Sequence, residues 1–330
     1  MNNWLKKQWL QFTPWHILLT PFSFVFLALS VGRQYLYQRG WIKSFRLAVP
    51  VLVVGNINVG GTGKTPLVIW LAEQLKSLGY RPGIISRGYG GDATTVQAVF
   101  AHSNPEQVGD EPLLLAKRTG CPVFVGANRV KVGQALLASF TECNIIISDD
   151  GLQHYRLQRD VEIAVVDGAT GFGNGALLPA GPLRESLSRL HYVDALVVNG
   201  QSQLDLIQAL KPIEMQLQAT NFYNLLDPNK VCGIADFTGK QVLAVAGIGN
   251  PQRFFQQLQV MGLKFKSQAY ADHYAFQALD FAEAEADIVV MTEKDAVKCA
   301  AFAKANFWVL PVTAVVEARL LSLILNKLNN

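Results

Sequence analysis

The chain predicts an α/β fold built on a mostly parallel sheet. Two observations carry that prediction: past Trp41 short β-branched runs alternate with longer amphipathic ones, and half of the 330 residues are apolar, enough for a large core. Such a composition argues against disorder, and the length fits one large or two moderate domains. The net charge of +4 is mild and scattered, with no Lys/Arg block of the kind that marks a nucleic-acid arm, so no nucleic-acid partner is expected. Cys121, Cys143, Cys232 and Cys299 lie far apart without C-x-x-C spacing and read as buried thiols of a reducing compartment.

The first element is the compositional exception. From Pro14 to Gly32 no side chain carries a fixed charge, and Ile17, Leu18, Leu19, Phe22, Phe24 and Val25 open a dense apolar run. Lys6 and Lys7 precede it, Arg33, Arg39, Lys43 and Arg46 follow, and Trp4, Trp9, Trp15, Tyr35, Tyr37 and Trp41 stand where aromatic belts lie. As a helix the stretch spans ~28 Å against a hydrocarbon core of ~30 Å, so length permits a crossing. Pro21, the polar His16, Thr20 and Ser23, and positive charge on both flanks weigh against one. No A-x-A cleavage pattern follows the run, which argues against a signal peptide. A monotopic helix in one leaflet is expected over residues 1–40, with a core helix of a soluble domain as the alternative.

Strands are then expected at Val49–Val54, Gly83–Ser86, Val96–Phe100, Pro122–Val125, Ile145–Ser148, Val161–Val166 and Ala195–Val198, with helices at Lys64–Leu78, Glu111–Lys117 and Val130–Phe140 between them. The pattern loosens from Pro212 to Asp236, where Asp227, Pro228, Asn229 and Gly239 supply turn chemistry. This places a core over 41–215, a linker over 216–240 and a smaller C-terminal α/β domain over 241–330. The last contains a strand at Val242–Ala246, a helix at Gln252–Met261 and strands near Ile288–Met291 and Phe307–Leu310.

The strongest local signal is Asn58, Val59, Gly60, Gly61, Thr62, Gly63, Lys64 and Thr65, set between a predicted strand and a predicted helix. Glycines let backbone N–H groups close around phosphate oxygens, the helix start adds its positive dipole end, Lys64 reaches the β- and γ-phosphates, and Thr65 offers a hydroxyl to Mg²⁺. The core therefore reads as P-loop NTPase-like. Asn58 departs from the glycine of the general pattern, although Asn accepts left-handed backbone better than most residues. A metal also needs carboxylates, and Asp149 and Asp150 end the apolar run Ile145–Ile147 in the manner of a Walker B strand. Ligands of open α/β sheets bind beyond the carboxyl ends of the strands, so both aspartates should face the crevice of Lys64. Acidic strand ends also serve as helix caps, which remains the alternative for either one.

A P-loop with paired acids fits a kinase or an NTPase equally. The choice comes from six ordered blocks: Val54–Pro66, Ser86–Gly91, Gly109–Pro112, Asp149–His154, Gly181–Glu185 and Thr292–Ala296. Together they resemble the tetraacyldisaccharide 4'-kinase (lipid A 4'-kinase) family of Gram-negative bacteria, from the N-terminal helix into the final third of the chain. That resemblance tolerates Asn58, since the family's loop accepts a non-glycine there. It implies an ATP- and Mg²⁺-dependent phosphotransferase of lipid A biosynthesis. The γ-phosphate would pass to the 4'-hydroxyl of tetraacyldisaccharide 1-phosphate, forming lipid IVA, at the cytoplasmic face of the inner membrane.

The resemblance further implies Asp110 as the base and His273 as its partner, with Lys64 completing the catalytic set. Taken by itself His273 reads as an ordinary surface or packing histidine. A bare aspartate, with its ordinary pKa near ~3.9, is a weak base, and a histidine sharing the proton would strengthen it. Since His273 lies beyond the expected boundary, it would reach Asp110 only when the two domains close. Thr65, Asp149, Asp150 and Glu111 are the expected metal ligands, and Arg87, His154, Arg184 and Glu185 the expected contacts for substrate or phosphate. The expected partners are the lipid A disaccharide precursor and the inner-membrane surface, with the chain a monomer.

A P-loop ATPase or GTPase switch, or a metallochaperone, is the alternative. Thr292-Glu293-Lys294-Asp295 superficially resembles the guanine-reading [NT]-K-x-D element, but its lysine stands one place late, so ATP is preferred. Paired histidines or cysteines for metal delivery are lacking in the sequence, and intact Lys64, Thr65, Asp149 and Asp150 argue against a catalytically dead scaffold.

Overall fold

A computed structural model describes residues 8–9, 13–91, 94–282 and 285–329. Trp4, Lys6 and Lys7, read above as part of the N-terminal flank, lie outside the described residues. Helices run over Pro14–Gln38 (α1), Lys64–Ser77 (α2), Pro105–Val108 (α3), Asp110–Thr119 (α4), Arg129–Ser139 (α5), Asp205–Ala209 (α6), Pro251–Val260 (α7), Glu293–Cys299 (α8) and Arg319–Leu328 (α9). Strands Val51–Gly55 (β1), Pro82–Ser86 (β2), Gln97–Val99 (β3), Val123–Val125 (β4), Ile145–Asp149 (β5), Val161–Asp167 (β6), Ala195–Asn199 (β7) and Ile213–Gln218 (β8) build most of a first sheet. Phe222–Asn224 (β9), Val231–Cys232 (β10), Val242–Ala246 (β11), Lys266–Ala269 (β12), Ile288–Thr292 (β13) and Phe307–Leu310 (β14) form a second, after which Thr313–Val316 (β15) returns to the first.

The first sheet has nine strands in the order β15-β8-β7-β6-β1-β5-β2-β4-β3, parallel except for its two edge strands, β15 and β3. β1 and β5 are buried along their whole length, which is why they read as unbroken apolar runs rather than alternating ones. Leu52 and Val54 point to one face, against Leu67 and Leu71 of α2, while Val51 and Val53 point to the other, with Leu136 of α5. The second sheet, six strands in the order β10-β9-β14-β13-β11-β12, packs an aromatic core of Phe222, Phe237, Phe254, Phe255 and Trp308.

Sheet membership departs from the boundaries drawn on the sequence. Residues assigned to a linker supply the end of β8 and all of β9 and β10, and the last residues of the supposed C-terminal domain supply β15 and α9 of the first unit. The cause is physical. Ile213, Met215 and Leu217 alternate with polar residues because β8 lies near a sheet margin, and Leu320 and Ile324 of α9 bury themselves in the first core. The second unit is thus an insertion spanning β9 to β14, joined to the first through residues 219–221 and 311–312.

Among the described residues α1 is the helix long and apolar enough to cross a membrane. It runs through Pro21 without stopping. Two of its polar side chains face the protein: His16 and Ser23 are buried, and the Ser23 hydroxyl donates to the Leu177 carbonyl at 2.9 Å and accepts from Ala180 N–H at 3.1 Å. Its apolar ones face outward, with Ile17, Leu18, Phe22, Phe24, Val25 and Leu29 between 59 and 77% exposed. A water-facing helix has the opposite arrangement, so this face is built for lipid. Trp9 corrects the aromatic-belt reading: it is buried, with its indole N–H on the Pro179 carbonyl at 3.0 Å, whereas Trp15, Tyr35 and Trp41 are exposed.

Candidate active site

The glycine-rich segment forms the turn from β1 into α2. Gly60 and Gly63 take φ of +130° and +94°, and a Cβ on Gly63 would lie 2.4 Å from Asn199 Nδ2, so the turn admits no side chain there. Asn199, at the end of β7, donates to the Thr62 carbonyl at 3.1 Å and fixes the loop from outside. The loop's first residues are laced to the Gly181–Glu185 block by Val59 N–H on Pro182 O and Arg184 N–H on Ile57 O. Asn58 is not left-handed, contrary to the rationale offered for it; its amide donates to Gly171 O at 3.3 Å instead.

Lys64 opens α2, and its ammonium stands 3.5 Å from Asp150, which Arg184 also grips at 3.1 Å. Burial alone would raise the Asp150 carboxyl, but Lys64 and Arg184 outweigh it and hold it below the ordinary value. Asp149 lies beside Val54 in the β1–β5 register. One of its oxygens accepts from Ser86 Oγ at 3.1 Å and the other, fully buried, has no partner. Burial, then the charges of Glu111 and Asp150, push it up to about 7. Such an orphaned acceptor between carboxylates fits a cation. Among the described residues no three His, Cys, Asp or Glu side chains form a cage, but Mg²⁺ needs none, since it keeps waters and phosphate oxygens and takes one or two carboxylates.

Asp110 and Glu111 begin α4, where acidic groups favour the helix dipole and Pro112 falls in the tolerant first turn. Gly109, at φ +88°, packs so close to the Tyr89 carbonyl that a Cβ would meet it at 2.7 Å. His273 comes from the loop after β12, and its Nδ1 lies 3.1 Å from both oxygens of Asp110, under the ring of Tyr89. Burial works to raise Asp110, but this hydrogen bond and the charges of Lys294 and Lys298 override it and hold the carboxyl below its ordinary value. Among the described residues the non-glycine positions with positive φ are Asp150, Lys211 and His273, and two of these three sit here. Strain of that kind collects at functional sites. The turn at Gly249 lies against Gly61, so the second unit approaches the glycine-rich loop there.

A model of the tetraacyldisaccharide-1-P 4'-kinase family matches residues 15–329. The chain belongs to that family. Among its relatives in the family, the tetraacyldisaccharide 4'-kinases of Methylobacillus flagellatus and Pasteurella multocida are 50% and 45% identical, covering 99% and 96% of this chain and 96% and 94% of their own. The crystal structure of LpxK from Aquifex aeolicus in complex with ATP is similar with a TM-score of 0.78 at 30% identity, covering 95% of this chain and 99% of that one.

In this 4'-kinase family member Asp150 meets Lys64 and Arg184, the charge of Glu111 reaches Asp149, and Asp110 beside Glu111 meets His273. Arg87 is exposed on the loop after β2. His154 accepts from Arg129 N–H at 3.3 Å, and burial followed by the charges of Arg129, Arg159, Arg33 and Arg156 pushes it down to about 4. Glu185 differs from the expected substrate contact. Only 5% exposed, it is held by Gln153 at 3.1 Å, by the Tyr155 hydroxyl and by Arg189. It braces the loop carrying His154.

Sequence reasoning missed Asn199, Asp167 and Arg253. Arg253, from α7 of the second unit, grips Asp167 at 2.5 Å and Asn199 at 2.8 Å, so a chain of contacts runs from the second unit to the Thr62 carbonyl. The signal was present: Asp167 and Asn199 are polar residues ending apolar runs at the carboxyl edge of a parallel sheet.

Proposed function

We propose that the chain transfers the γ-phosphate of ATP to the 4'-hydroxyl of tetraacyldisaccharide 1-phosphate at the cytoplasmic face of the inner membrane. The observation that carries this reading is the Asp110–His273 pair, contributed by two units, together with the approach of the Gly249 turn of the second unit to Gly61 of the glycine-rich loop. The lipid-facing surface of α1 supports it, because an acceptor with four acyl chains stays in the bilayer and an enzyme on the same surface meets it often.

The acceptor hydroxyl gives its proton to Asp110 while its oxygen bonds the γ-phosphorus. The bond from phosphorus to the bridging oxygen breaks, and ADP leaves with that electron pair. His273, donating from Nδ1, aims the Asp110 carboxylate. Lys64 and the loop amides take up phosphate charge. Thr65, Asp149, Asp150 and Glu111 would hold Mg²⁺, which when bound neutralises phosphate oxygens as a Lewis acid. Arg184 and Arg87 supply positive charge at the mouth for substrate phosphate, and His154 offers its ring among arginines. Glu185 acts through the loop it braces.

The test is transfer of labelled γ-phosphate to a tetraacyldisaccharide 1-phosphate in detergent micelles, wild type beside Lys64→Ala. Labelled lipid from wild type alone supports the reading. Nucleotide hydrolysis without labelled lipid would turn it to a switch ATPase.

A further inference from the structure

Ser23 is a polar side chain in the middle of a helix whose outer face is built for lipid, and it is only 8% exposed. A serine inside a helix commonly returns its hydroxyl to the carbonyl four residues back. Here that carbonyl, Leu19 O, is 3.5 Å away, and the hydroxyl turns to a neighbouring segment instead, bonding Leu177 O at 2.9 Å and Ala180 N–H at 3.1 Å. Trp9 clamps the same segment, its indole N–H on Pro179 O at 3.0 Å and its carbonyl on Asn174 N–H at 2.7 Å. Residues 174–184 are also closed on themselves. Leu178 N–H donates to Leu183 O and Gly181 N–H to Leu177 O, both at 2.9 Å, and the Asn174 amide donates to Ala180 O at 3.0 Å. The far end of the segment meets the phosphate loop: Asn58 bridges Leu183 in antiparallel fashion, Val59 N–H donates to Pro182 O at 2.8 Å, and Arg184 N–H donates to Ile57 O at 2.6 Å while its side chain grips Asp150. Pro182 is two residues from Ala180, at most ~7 Å along the chain.

We propose that Ser23 is a positioning residue for the nucleotide site: it seats residues 174–184 on α1, and that segment in turn sets the first residues of the glycine-rich loop and Arg184. The membrane helix is then part of the scaffold of the ATP site as well as an anchor. The proposal rests on the reading of the glycine-rich loop as the ATP site, and it is independent of the acceptor's identity. The physical cause is the burial of Ala180, which is 1% exposed. Without the Ser23 hydroxyl its N–H is left unpaired away from water, and an orphaned donor costs more than the bond it replaces contributed. The segment relieves that cost by shifting, and because its own hydrogen bonds leave it little slack, the shift passes to Val59 and Arg184.

The experiment titrates a fluorescent ATP analogue with Mg²⁺ into the full chain in detergent micelles, with no lipid acceptor present and with Lys64→Ala alongside. Ser23→Ala is expected to raise the Kd of the analogue ~10-fold. Its sedimentation with vesicles should stay as in wild type, because the lipid-facing side chains are untouched. Ser23→Thr keeps the hydroxyl and should recover most of the affinity. Trp9→Phe, which loses the donor to Pro179 O, should raise Kd in the same direction and serves as the deciding variant if Ser23→Ala does not fold. A wild-type Kd in folded Ser23→Ala, or failing that variant in Trp9→Phe, overturns the proposal; so does a Ser23→Thr that binds as weakly as Ser23→Ala at the same Tm. Ser23 would then be a packing contact of the anchor. Wild type binding the analogue no better than Lys64→Ala would instead overturn the underlying reading of the loop.

Discussion

Asp110 and His273 should behave as one unit, and a double-mutant cycle measures it. The carboxylate is 4% exposed and both its oxygens lie 3.1 Å from Nδ1, so the hydrogen bond is charge-assisted and shielded from water. A bond of that kind contributes ~1.5–3 kcal/mol, which at 1.4 kcal/mol per decade is about 10- to 150-fold. Loss of a positioned general base costs about 10²- to 10⁴-fold. Asp110→Ala should therefore lower kcat/KM by ~10³-fold and His273→Ala by ~10- to 100-fold. Because the histidine acts through the aspartate, adding His273→Ala to Asp110→Ala should cost little more, and the coupling energy should equal nearly the whole effect of the single histidine change. The assay is initial-rate transfer of labelled γ-phosphate to the lipid acceptor, with Tm followed because Asp110→Ala also deprives Lys294 and Lys298 of an anion. A double variant that loses the product of the two single losses would refute the coupling.

Three further outcomes are expected. Gly63→Ala puts a Cβ 2.4 Å from Asn199 Nδ2 at a φ of +94°, a strain of about 1–3 kcal/mol, and should raise KM for ATP roughly tenfold or more; unchanged nucleotide kinetics would mean that the loop is not held as described. Replacing Phe22, Phe24, Val25 and Leu29 by Ser removes ~1.5–3 kcal/mol of apolar transfer per side chain from the outer face of α1. The variant should leave the membrane pellet for the supernatant, and equal sedimentation with vesicles would contradict a lipid-facing role. His154, depressed to about 4 from its ordinary ~6.5, is neutral when folded and protonates first in the unfolded chain. Its contribution to stability is complete above about pH 6.5 and drains away as pH falls toward 4, so Tm should fall less steeply across that window in His154→Gln than in wild type.

What was legible in the sequence follows from where the information resides. The P-loop, Asp149 and Asp150 are contiguous patterns whose strand and helix context is local, and β1, β5, β11, β13 and β14 announce themselves because full burial demands uninterrupted apolar side chains. β9 and β10 span three and two residues, too short for any period to emerge. β15 and α9 could not be assigned to the first unit because their partners lie far upstream, β8 by about a hundred residues and α2 by about 240. The site divides the same way. Asp110 and His273 stand 163 positions apart, and no spacing rule connects them; the family resemblance did. Lys294 was visible inside the Thr292–Ala296 block, but its contacts exist only once α8 packs on α4.

The insertion has a mechanical consequence. A body hung from one tether can swivel in any direction, whereas one held at two neighbouring points turns about the line that joins them. The second unit leaves the first sheet after β8 and re-enters it at β15, and these strands are antiparallel neighbours, Thr313 lying opposite Gln218. Its two attachments therefore sit side by side at one corner of the sheet, like paired pins of a door. Were the unit to move about that corner, its rotation would be confined to one axis, and His273 would approach Asp110 from one side.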